Sequence, residues 1–295
     1  MFQTEVRSAT LYVVATPIGN LRDITLRALD ILGNVDRVVA EDTRNTAMLL
    51  QHHGINTKLI SLHQHNERER SEQIVEHLCA GQSLALVSDA GTPGISDPGA
   101  ILVDCVRRAG YAVVPIPGAS ALATALSASG MQALPFSFHG FLPIKSAARK
   151  KYLESISAQT GTLVFYEAPH RVMECIEDMT AVFGAARVVV IARELTKLFE
   201  TIHRCELGDA APWIAADSNR LKGEFVLLVD GAAPDSNAID VELERVVRLL
   251  LSEALPVKQV AKLAAAITHA SKNDAYERAL AIKQLARKNL CSRLR

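Results

Sequence analysis

The sequence contains few cysteines and none of the cysteine spacings that build disulfide frameworks or zinc sites. Its 295 residues include Cys79, Cys105, Cys175, Cys205 and Cys291, and no CxxC pair occurs among them. An odd number of widely separated cysteines is typical of a protein from a reducing compartment. We therefore expect a cytoplasmic protein without structural disulfide bonds.

Long uncharged apolar segments are also absent. No such run reaches the roughly 18 residues that a transmembrane helix needs, and the first apolar run is short and ends at Pro17. The N-terminal segment lacks the charged stretch and the cleavable apolar stretch of a signal peptide. The sequence therefore predicts a chain that is neither exported nor inserted into a membrane.

The chain has no excess of charge of either sign. Thirty-two Lys and Arg side chains balance 32 Asp and Glu side chains, which excludes a polycation that holds nucleic acid by bulk electrostatics alone. Residues 239–295 nevertheless contain 11 basic and six acidic side chains, so this segment carries +5 and the rest of the chain −5. The basic segment either contacts RNA or forms an ordinary solvated helical surface, and both interpretations stay open.

Several nucleotide and metal motifs are missing. No G-x-G-x-x-G follows a predicted strand and no G-x-x-x-x-G-K-[ST] occurs, so dinucleotide-dependent and P-loop chemistry lack their physical basis. Neither HxxxH nor HExxH occurs in the chain. We therefore predict no metal site.

Short β-branched runs alternate with longer amphipathic stretches, which is typical of an α/β fold with a mainly parallel sheet. Five strands are predicted in the first part of the chain, at 11–16, 37–42, 58–62, 84–89 and 112–116. Five more follow, at 137–141, 162–167, 187–192, 199–207 and 224–229, and this second set needs a sheet of its own. We therefore predict an N-terminal α/β domain at 1–118 and a second α/β domain at 119–231.

The C-terminal part of the chain has a different pattern. Residues 231–238 are small, polar and Pro-containing, as in a linker. Beyond them, apolar residues such as Val246, Leu249, Leu250 and Val260 recur at helical spacing. We predict a small basic helical domain at 239–295.

Three predicted strands are followed by loops rich in Gly, Pro and small residues. These loops are ATPIGN (15–20), VSDAGTPGISDPG (87–99) and PIPGASALATALSASG (115–130). Ligands of open α/β sheets bind beyond the carboxyl ends of the strands, where helix N-termini present free N–H groups. The second loop has three Gly, two Pro and two Asp, which are more turn-forming residues than a simple strand-to-helix turn requires. The alternative is structural: the first loop is then a tight turn, Asp89 a turn cap and Ser120 a helix cap.

Together with AEDTRNT (40–46) and FHGFLP (138–143), these loops make the chain resemble the ribosomal RNA small-subunit methyltransferase I family, within the tetrapyrrole (class III) methylases. The resemblance covers about Leu11 to Val229 and, more loosely, the helical tail. It implies two α/β domains with S-adenosylmethionine in the cleft between them, a small C-terminal helical domain, and a homodimer. It also implies 2′-O-methylation of a cytidine ribose in the decoding region of 16S rRNA, on the small ribosomal subunit, with neither DNA nor a membrane as a partner.

The resemblance assigns cofactor contacts to residues of both α/β domains. The implied contacts are Pro17, Gly19, Asp89, Gly91, Thr92, Ser120 and Ala121 from the three loops, and Phe165, Tyr166, Gly223 and Glu224 from the second domain. The aromatic pair has an alternative role, because aromatic residues of strands usually pack in a core.

Two polar clusters, FYEAPHRV (165–172) and ARELTKLFET (192–201), carry the groups that methyl transfer to a hydroxyl requires. The hydroxyl must be positioned in line with the methyl group and must lose its proton. The candidate catalytic residues are Glu167, His170, Arg193 and Glu194, with Glu167 preferred as the proton acceptor and His170 second. Candidate phosphate contacts are Arg44, Arg171 and Lys197. An Arg–Glu network that only braces the domain interface, and a plain surface role for Arg44, are the alternatives.

Two other function classes fit parts of this pattern. An RNA-binding module without turnover would keep the fold and the RNA contact. A small-molecule, tetrapyrrole-like methylase would keep turnover with a different acceptor. The basic tail and the EAPHR segment favour RNA as the substrate.

Overall fold

The protein is described from a computed structural model of residues 5–64, 66–131, 134–233, 236–253, 255–268 and 270–292, with side chains except in 236–241 and 285–292. The chain divides into two compact units, Met1–Gly231 and Ala232–Arg295. In the part of the chain that the structure describes, no helix combines the length and the apolar composition needed to cross a bilayer.

The first sheet contains five parallel strands in the order β3-β2-β4-β1-β5. Its strands are β1 (Thr10–Val14), β2 (Arg37–Ala40), β3 (Lys58–Ser61), β4 (Leu84–Val87) and β5 (Ala112–Ile116), and the intervening helices are α1 (Leu26–Asn34), α2 (Thr43–His52), α3 (Glu67–Cys79) and α4 (Ala100–Arg108). Strand side chains alternate between the two faces, so Tyr12 and Val14 pack with α1, whereas Leu11 packs with α3 and α4. Helices thus cover both faces, as parallel sheets require.

The second sheet is mixed, with the order β6-β7-β10-β8-β9. Its strands are β6 (Phe136–Phe141), β7 (Thr162–Glu167), β8 (Val188–Arg193), β9 (Thr201–Glu206) and β10 (Phe225–Val229). The helices of this part are α5 (Ala121–Ala128), α6 (Ser146–Ile156), α7 (Val172–Phe183) and α8 (Leu207–Ala215). Only β6 and β7 pair in parallel; β7, β10, β8 and β9 pair antiparallel.

The two faces of the second sheet pack against different elements. Leu163, Phe165 and Leu227 point into a core with α6, α7 and α8. Val164, Val226 and Leu228 alternate with them and pack, on the opposite face, with α5 and with Ile18 of the first loop. The first loop therefore joins the two sheets of this unit.

The C-terminal unit consists of three helices, α9 (Ser236–Ser252), α10 (Val257–Thr268) and α11 (Lys272–Ser292). Val246 and Val260 lie in its core, beside a row of small residues that includes Ala264 and Ala275. Leu250 packs against this core, but Leu249, which shares the apolar spacing, is exposed.

The predicted fold class is confirmed: two sheets, the first parallel, and a C-terminal helical region. All ten predicted strands occur, although β1, β2 and β4 end two residues earlier than predicted. The polar residues Asp42 and Ser88 leave the sheet there, and the Asp42 carboxylate accepts the Arg44 N–H to cap α2. The domain boundaries at residues 118 and 231 stay predictions.

Candidate active site

The loops that follow β1, β4 and β5 are locked together by hydrogen bonds. Thr16 and Gly91 form two backbone N–H···O hydrogen bonds with each other, of 2.8 and 3.0 Å. The Thr16 hydroxyl donates a hydrogen bond to the Ser88 carbonyl at 3.0 Å. The Thr92 hydroxyl donates to the Ala119 carbonyl at 3.2 Å. The three Gly- and Pro-rich loops are therefore joined at the carboxyl end of the first sheet, and together they are called the loop layer.

Asp89 ties this layer to the loop after β2. Its two carboxylate oxygens accept the Asp42 backbone N–H at 3.1 Å and the Asn45 side-chain amide at 3.0 Å. With Pro17, Asp89 lines a concavity of about 210 Å³ beside α2. These two hydrogen bonds therefore fix the position of Asp89, which lines the concavity beside α2.

A cavity of about 380 Å³ lies between the loop layer and the second sheet. Six predicted cofactor contacts line it, namely Gly91, Thr92, Ser120, Ala121, Tyr166 and Glu224, and so does Glu167. The lining also contains residues that were not predicted from the sequence, among them Ile18, Ile95, Ser96, Asp97, Phe141, Leu195 and Val226. Ile95, Ser96 and Asp97 belong to the second loop, whose composition marked it as a ligand loop without indicating which side chains face inward.

The aromatic pair of β7 is divided between cavity and core. Tyr166 faces the cavity, and its hydroxyl accepts the Leu122 N–H at 3.1 Å. Phe165 points to the opposite face, is fully buried and stacks on His139. Phe165 therefore does not reach the cavity, because adjacent residues of a strand face opposite sides of the sheet.

The start of α5 is partly occupied by the protein's own groups. The Leu122 N–H donates to Tyr166, and the Ala123 N–H donates to the Ser120 hydroxyl at 3.5 Å. Ser120 thus caps the helix as well as lining the cavity. Two of the first three N–H groups of this helix are used inside the protein, which leaves fewer of them free to bind a ligand.

The carboxylates of Glu41, Asp89 and Asp97 lie close enough to interact electrostatically. Burial raises the pKa of Glu41, and the charges of Asp97 and Asp89 add to that effect. Burial also raises the pKa of Asp97, to about 6, against an opposing hydrogen bond from Ser88 and with a further contribution from Asp89. Of this cluster, Asp97 is the member that lines the 380 Å³ cavity.

Glu167 is buried at the end of β7 and lines the cavity. Its Oε1 accepts the Ala168 N–H at 2.9 Å and lies 3.3 Å from Nε of Arg171, whose Nη2 donates to the Leu142 carbonyl. Its Oε2 is buried and accepts no bond from a nitrogen or oxygen donor among the described residues. The Glu167 side chain has no exposed surface, and its carboxylate also interacts with the thiol of the core residue Cys175.

Glu194, Lys197 and Glu224 form an ion-pair cluster at the rim. Lys197 Nζ lies 2.8 Å from Glu194 and 2.9 Å from Glu224, and the Glu224 N–H also donates to Glu194. Burial opposes ionisation of Glu194, but the bonds from Lys197 and Glu224 outweigh it and lower its pKa. The aliphatic part of Lys197 covers Gly19, and the Glu194 side chain covers Gly223, so neither glycine has room for a Cβ. These two glycines therefore support the cluster and do not line the cavity.

The remaining candidates lie outside the cavity. Arg193 is buried and donates to the carbonyls of Asn219, Lys222 and Phe199, so it braces loops, as the structural alternative held. His170 is exposed in the turn before α7. Arg44 is exposed and pairs with Asp42 at 2.7 Å. The catalytic assignments of Arg193, Glu194 and His170 stay predictions that this geometry does not support.

Comparison with known proteins identifies the family. The model of the Tetrapyrrole (Corrin/Porphyrin) Methylases matches residues 10–211, and that of the RsmI C-terminal HTH domain matches residues 237–283. The chain is 52% identical to the ribosomal RNA small subunit methyltransferase I of Vibrio cholerae serotype O1, over 90% of this chain and 93% of that protein. It is 50% identical to the protein of that name from Escherichia coli O157:H7, over 92% and 94%.

A solved structure supports the fold. The crystal structure of the methyltransferase CobJ aligns with a TM-score of 0.58 at 20% identity, over 76% of this chain and 94% of that chain. The chain therefore belongs to the ribosomal RNA small subunit methyltransferase I family of the tetrapyrrole methylases, and it is a methyltransferase.

Proposed function

We propose that the protein transfers a methyl group from S-adenosylmethionine to the 2′-hydroxyl of a cytidine in the decoding region of 16S rRNA, on the small ribosomal subunit in the cytoplasm. The observation that carries the proposal is the 380 Å³ cavity where the sequence-predicted loops converge. The names of relatives at about 50% identity support an rRNA acceptor. The homodimer implied by the family resemblance is part of the proposal.

The residues of the cavity fit S-adenosylmethionine. Its volume lies within the roughly 300–1,000 Å³ of small-molecule sites. Ile18, Leu195 and Val226 offer apolar surface for a nucleobase, and the carboxylate of Asp97 suits a cationic ligand. S-adenosylmethionine, when bound, supplies an electrophilic methyl group on a positively charged sulfur.

The chain's own residues contribute position and exclusion of water. The bonded loop layer fixes Gly91 and Thr92 before any ligand arrives, so little conformational entropy remains to be lost. The Lys197 cluster connects the first loop to the second sheet at the rim. Arg171 and Lys197 stay candidates for phosphate contact, although both already have carboxylate neighbours.

The test is methyl transfer with three acceptors. Purified protein would be incubated with tritium-labelled S-adenosylmethionine and, separately, small subunits from cells that lack the enzyme, deproteinised 16S rRNA, and a uroporphyrin-type tetrapyrrole. We expect label in the subunits. Label only in the tetrapyrrole would overturn the proposal in favour of a small-molecule methylase, and subunit binding without label would favour an RNA-binding module.

A further inference from the structure

Asp97 occupies a position that differs from that of every other carboxylate in the cavity. It lies in the second loop, three residues before the first residue of α4, and lines the 380 Å³ cavity together with Tyr166. The end of this loop is anchored at the start of α4, because the buried Glu67 carboxylate accepts the N–H groups of Gly99 and Ile101 at 2.8 and 3.0 Å. The loop therefore presents the Asp97 side chain from a fixed support.

The charged groups that surround Asp97 in the described part of the chain are acidic. The groups that face it are Asp89 and the Ser88 hydroxyl from its own loop, Glu41 from the end of β2, and the Tyr166 phenol from β7. Among the described residues, no Lys, Arg or His lies within ion-pair distance of Asp97. Burial and the Asp89 charge hold its pKa at about 6.

Glu167, the carboxylate preferred from the sequence, has the opposite environment. Arg171 lies 3.3 Å from its Oε1, and the Ala168 N–H donates to the same oxygen. The Glu167 side chain has no exposed surface and lies beside the core residue Cys175, on the face of the sheet opposite Tyr166, so its carboxylate does not face the cavity.

We propose that Asp97, and not Glu167, accepts the proton of the attacking ribose hydroxyl; this assignment rests on the proposed function. As the bond between the 2′-oxygen and the methyl carbon forms, the bond from that carbon to sulfur breaks and its electron pair stays on sulfur. The hydroxyl proton passes to the Asp97 carboxylate. The negative charge of Asp97 and the positive charge of sulfur are both lost, so the charges balance.

The experiment compares Asp97→Asn with Glu167→Gln and with Asp104→Asn, an exposed carboxylate of α4 that pairs with Arg108 on the surface. Single-turnover methyl transfer to small subunits is measured at saturating S-adenosylmethionine, and the dissociation constant of S-adenosylmethionine is measured by calorimetry. For Asp97→Asn we expect a rate lower by about 100-fold or more, the usual contribution of a general base, with a dissociation constant within about threefold. For Asp104→Asn we expect both quantities within about twofold.

The pH dependence gives a second, independent readout. A general base must be ionised, so the wild-type rate should rise with pH through about 6 and, one unit below, reach about a tenth of its plateau. This inflection should persist in Glu167→Gln and be absent from Asp97→Asn. A ¹³C NMR titration of the labelled Asp carboxyl groups should contain a resonance with that midpoint, and the resonance should be missing in Asp97→Asn.

The outcomes separate this inference from the proposed function. If the wild-type protein fails to methylate the subunit, both are overturned. If the wild-type protein is active and Asp97→Asn keeps a third or more of the rate, or keeps the same pH inflection, the assignment of Asp97 is overturned and the function stands. A large loss of S-adenosylmethionine affinity with an unchanged saturated rate would make Asp97 a ligand contact and would also overturn the assignment.

Discussion

At the scale of single residues, the cavity depends on close contacts that require the absence of a side chain. Gly223 has a φ of +92°, and a Cβ there would lie 2.4 Å from the Glu194 side chain. Glu194 itself has a φ of +52° and accepts bonds from Lys197 and Glu224. The ion-pair cluster at the rim therefore requires a glycine at position 223, although Gly223 does not line the cavity.

Replacing Gly223 tests this support. Gly81→Ala is the matched control, because Gly81 has a similar φ of +80° and no atom within 4 Å of the new Cβ. We expect Gly81→Ala to lower the free energy of unfolding by about 1–2 kcal/mol, the backbone term alone. Gly223→Ala adds overpacking against Glu194, so the loss should exceed the control by about 1–3 kcal/mol. Urea unfolding measures both, and equal losses would contradict the account.

Strand alternation separates the cavity residues that sequence can identify from those it cannot. Tyr166 and Phe165 were both predicted as cofactor contacts, yet only Tyr166 faces the cavity. The period of two in β7, applied strictly, would have placed Phe165 with the core residue Leu163. Asp97 was missed for a different reason: the direction of a side chain in a Gly- and Pro-rich loop depends on tertiary hydrogen bonds that no spacing rule reveals.

At the scale of elements, the strands were predictable and some helices were not. β-branched runs bounded by turn residues marked all ten strands. The helices α6, α7 and α8 were not identified. Pro212 lies inside α8, where a proline normally argues against a helix. The burial of Leu207, Ala210 and Ile214 on one face against the second sheet outweighs this local preference.

The junction of α3 with α4 provides the test at this scale. The Glu67 carboxylate accepts N–H groups of Gly99, Ile101 and Leu102, at 2.8, 3.0 and 3.3 Å, and so caps α4 from a neighbouring helix. Glu67→Gln weakens these bonds by removing the charge. We expect a loss of about 1–2 kcal/mol in the free energy of unfolding, as for other caps, and weaker S-adenosylmethionine binding, because the cap supports the loop of Asp97.

The control for this change is Glu69→Gln, which removes the same charge from an exposed position in the first turn of α3. Its effect on unfolding should stay within about 0.5 kcal/mol, and its effect on ligand affinity within about twofold. Chemical denaturation and calorimetry give both values. Equal destabilisation by the two variants would show that the contact of Glu67 with α4 contributes nothing to the free energy of unfolding.

At the scale of the whole molecule, charge and chemistry are divided between two compact units. The first unit contains the two sheets and the cavity, and the second contains three helices with a net excess of basic side chains. The sequence identified this basic segment but left its role open, because a solvated surface and an RNA-binding surface have the same composition. Lys258 and Lys262 lie one turn apart on α10, and both are exposed.

Charge reversal on α10 distinguishes these roles. If the helical unit contacts rRNA, Lys258→Glu combined with Lys262→Glu should raise KM for small subunits about tenfold or more and reduce the salt dependence of binding, since phosphate contacts release counterions. S-adenosylmethionine affinity should not change. The matched control reverses Lys145 and Lys151, two exposed lysines at α6. Equal effects of the two double variants would assign the basic helical surface to solvent.

The most direct test of the central claim is the position of the transferred methyl group. Small subunits labelled by the protein would be deproteinised, and their rRNA would be hydrolysed in alkali and analysed by mass spectrometry. A 2′-O-methyl group blocks attack of that oxygen on the neighbouring phosphate, so the account predicts label in an alkali-resistant dinucleotide whose methylated nucleoside is cytidine with the methyl on the ribose. Label released in a mononucleotide with the methyl on the base would contradict it.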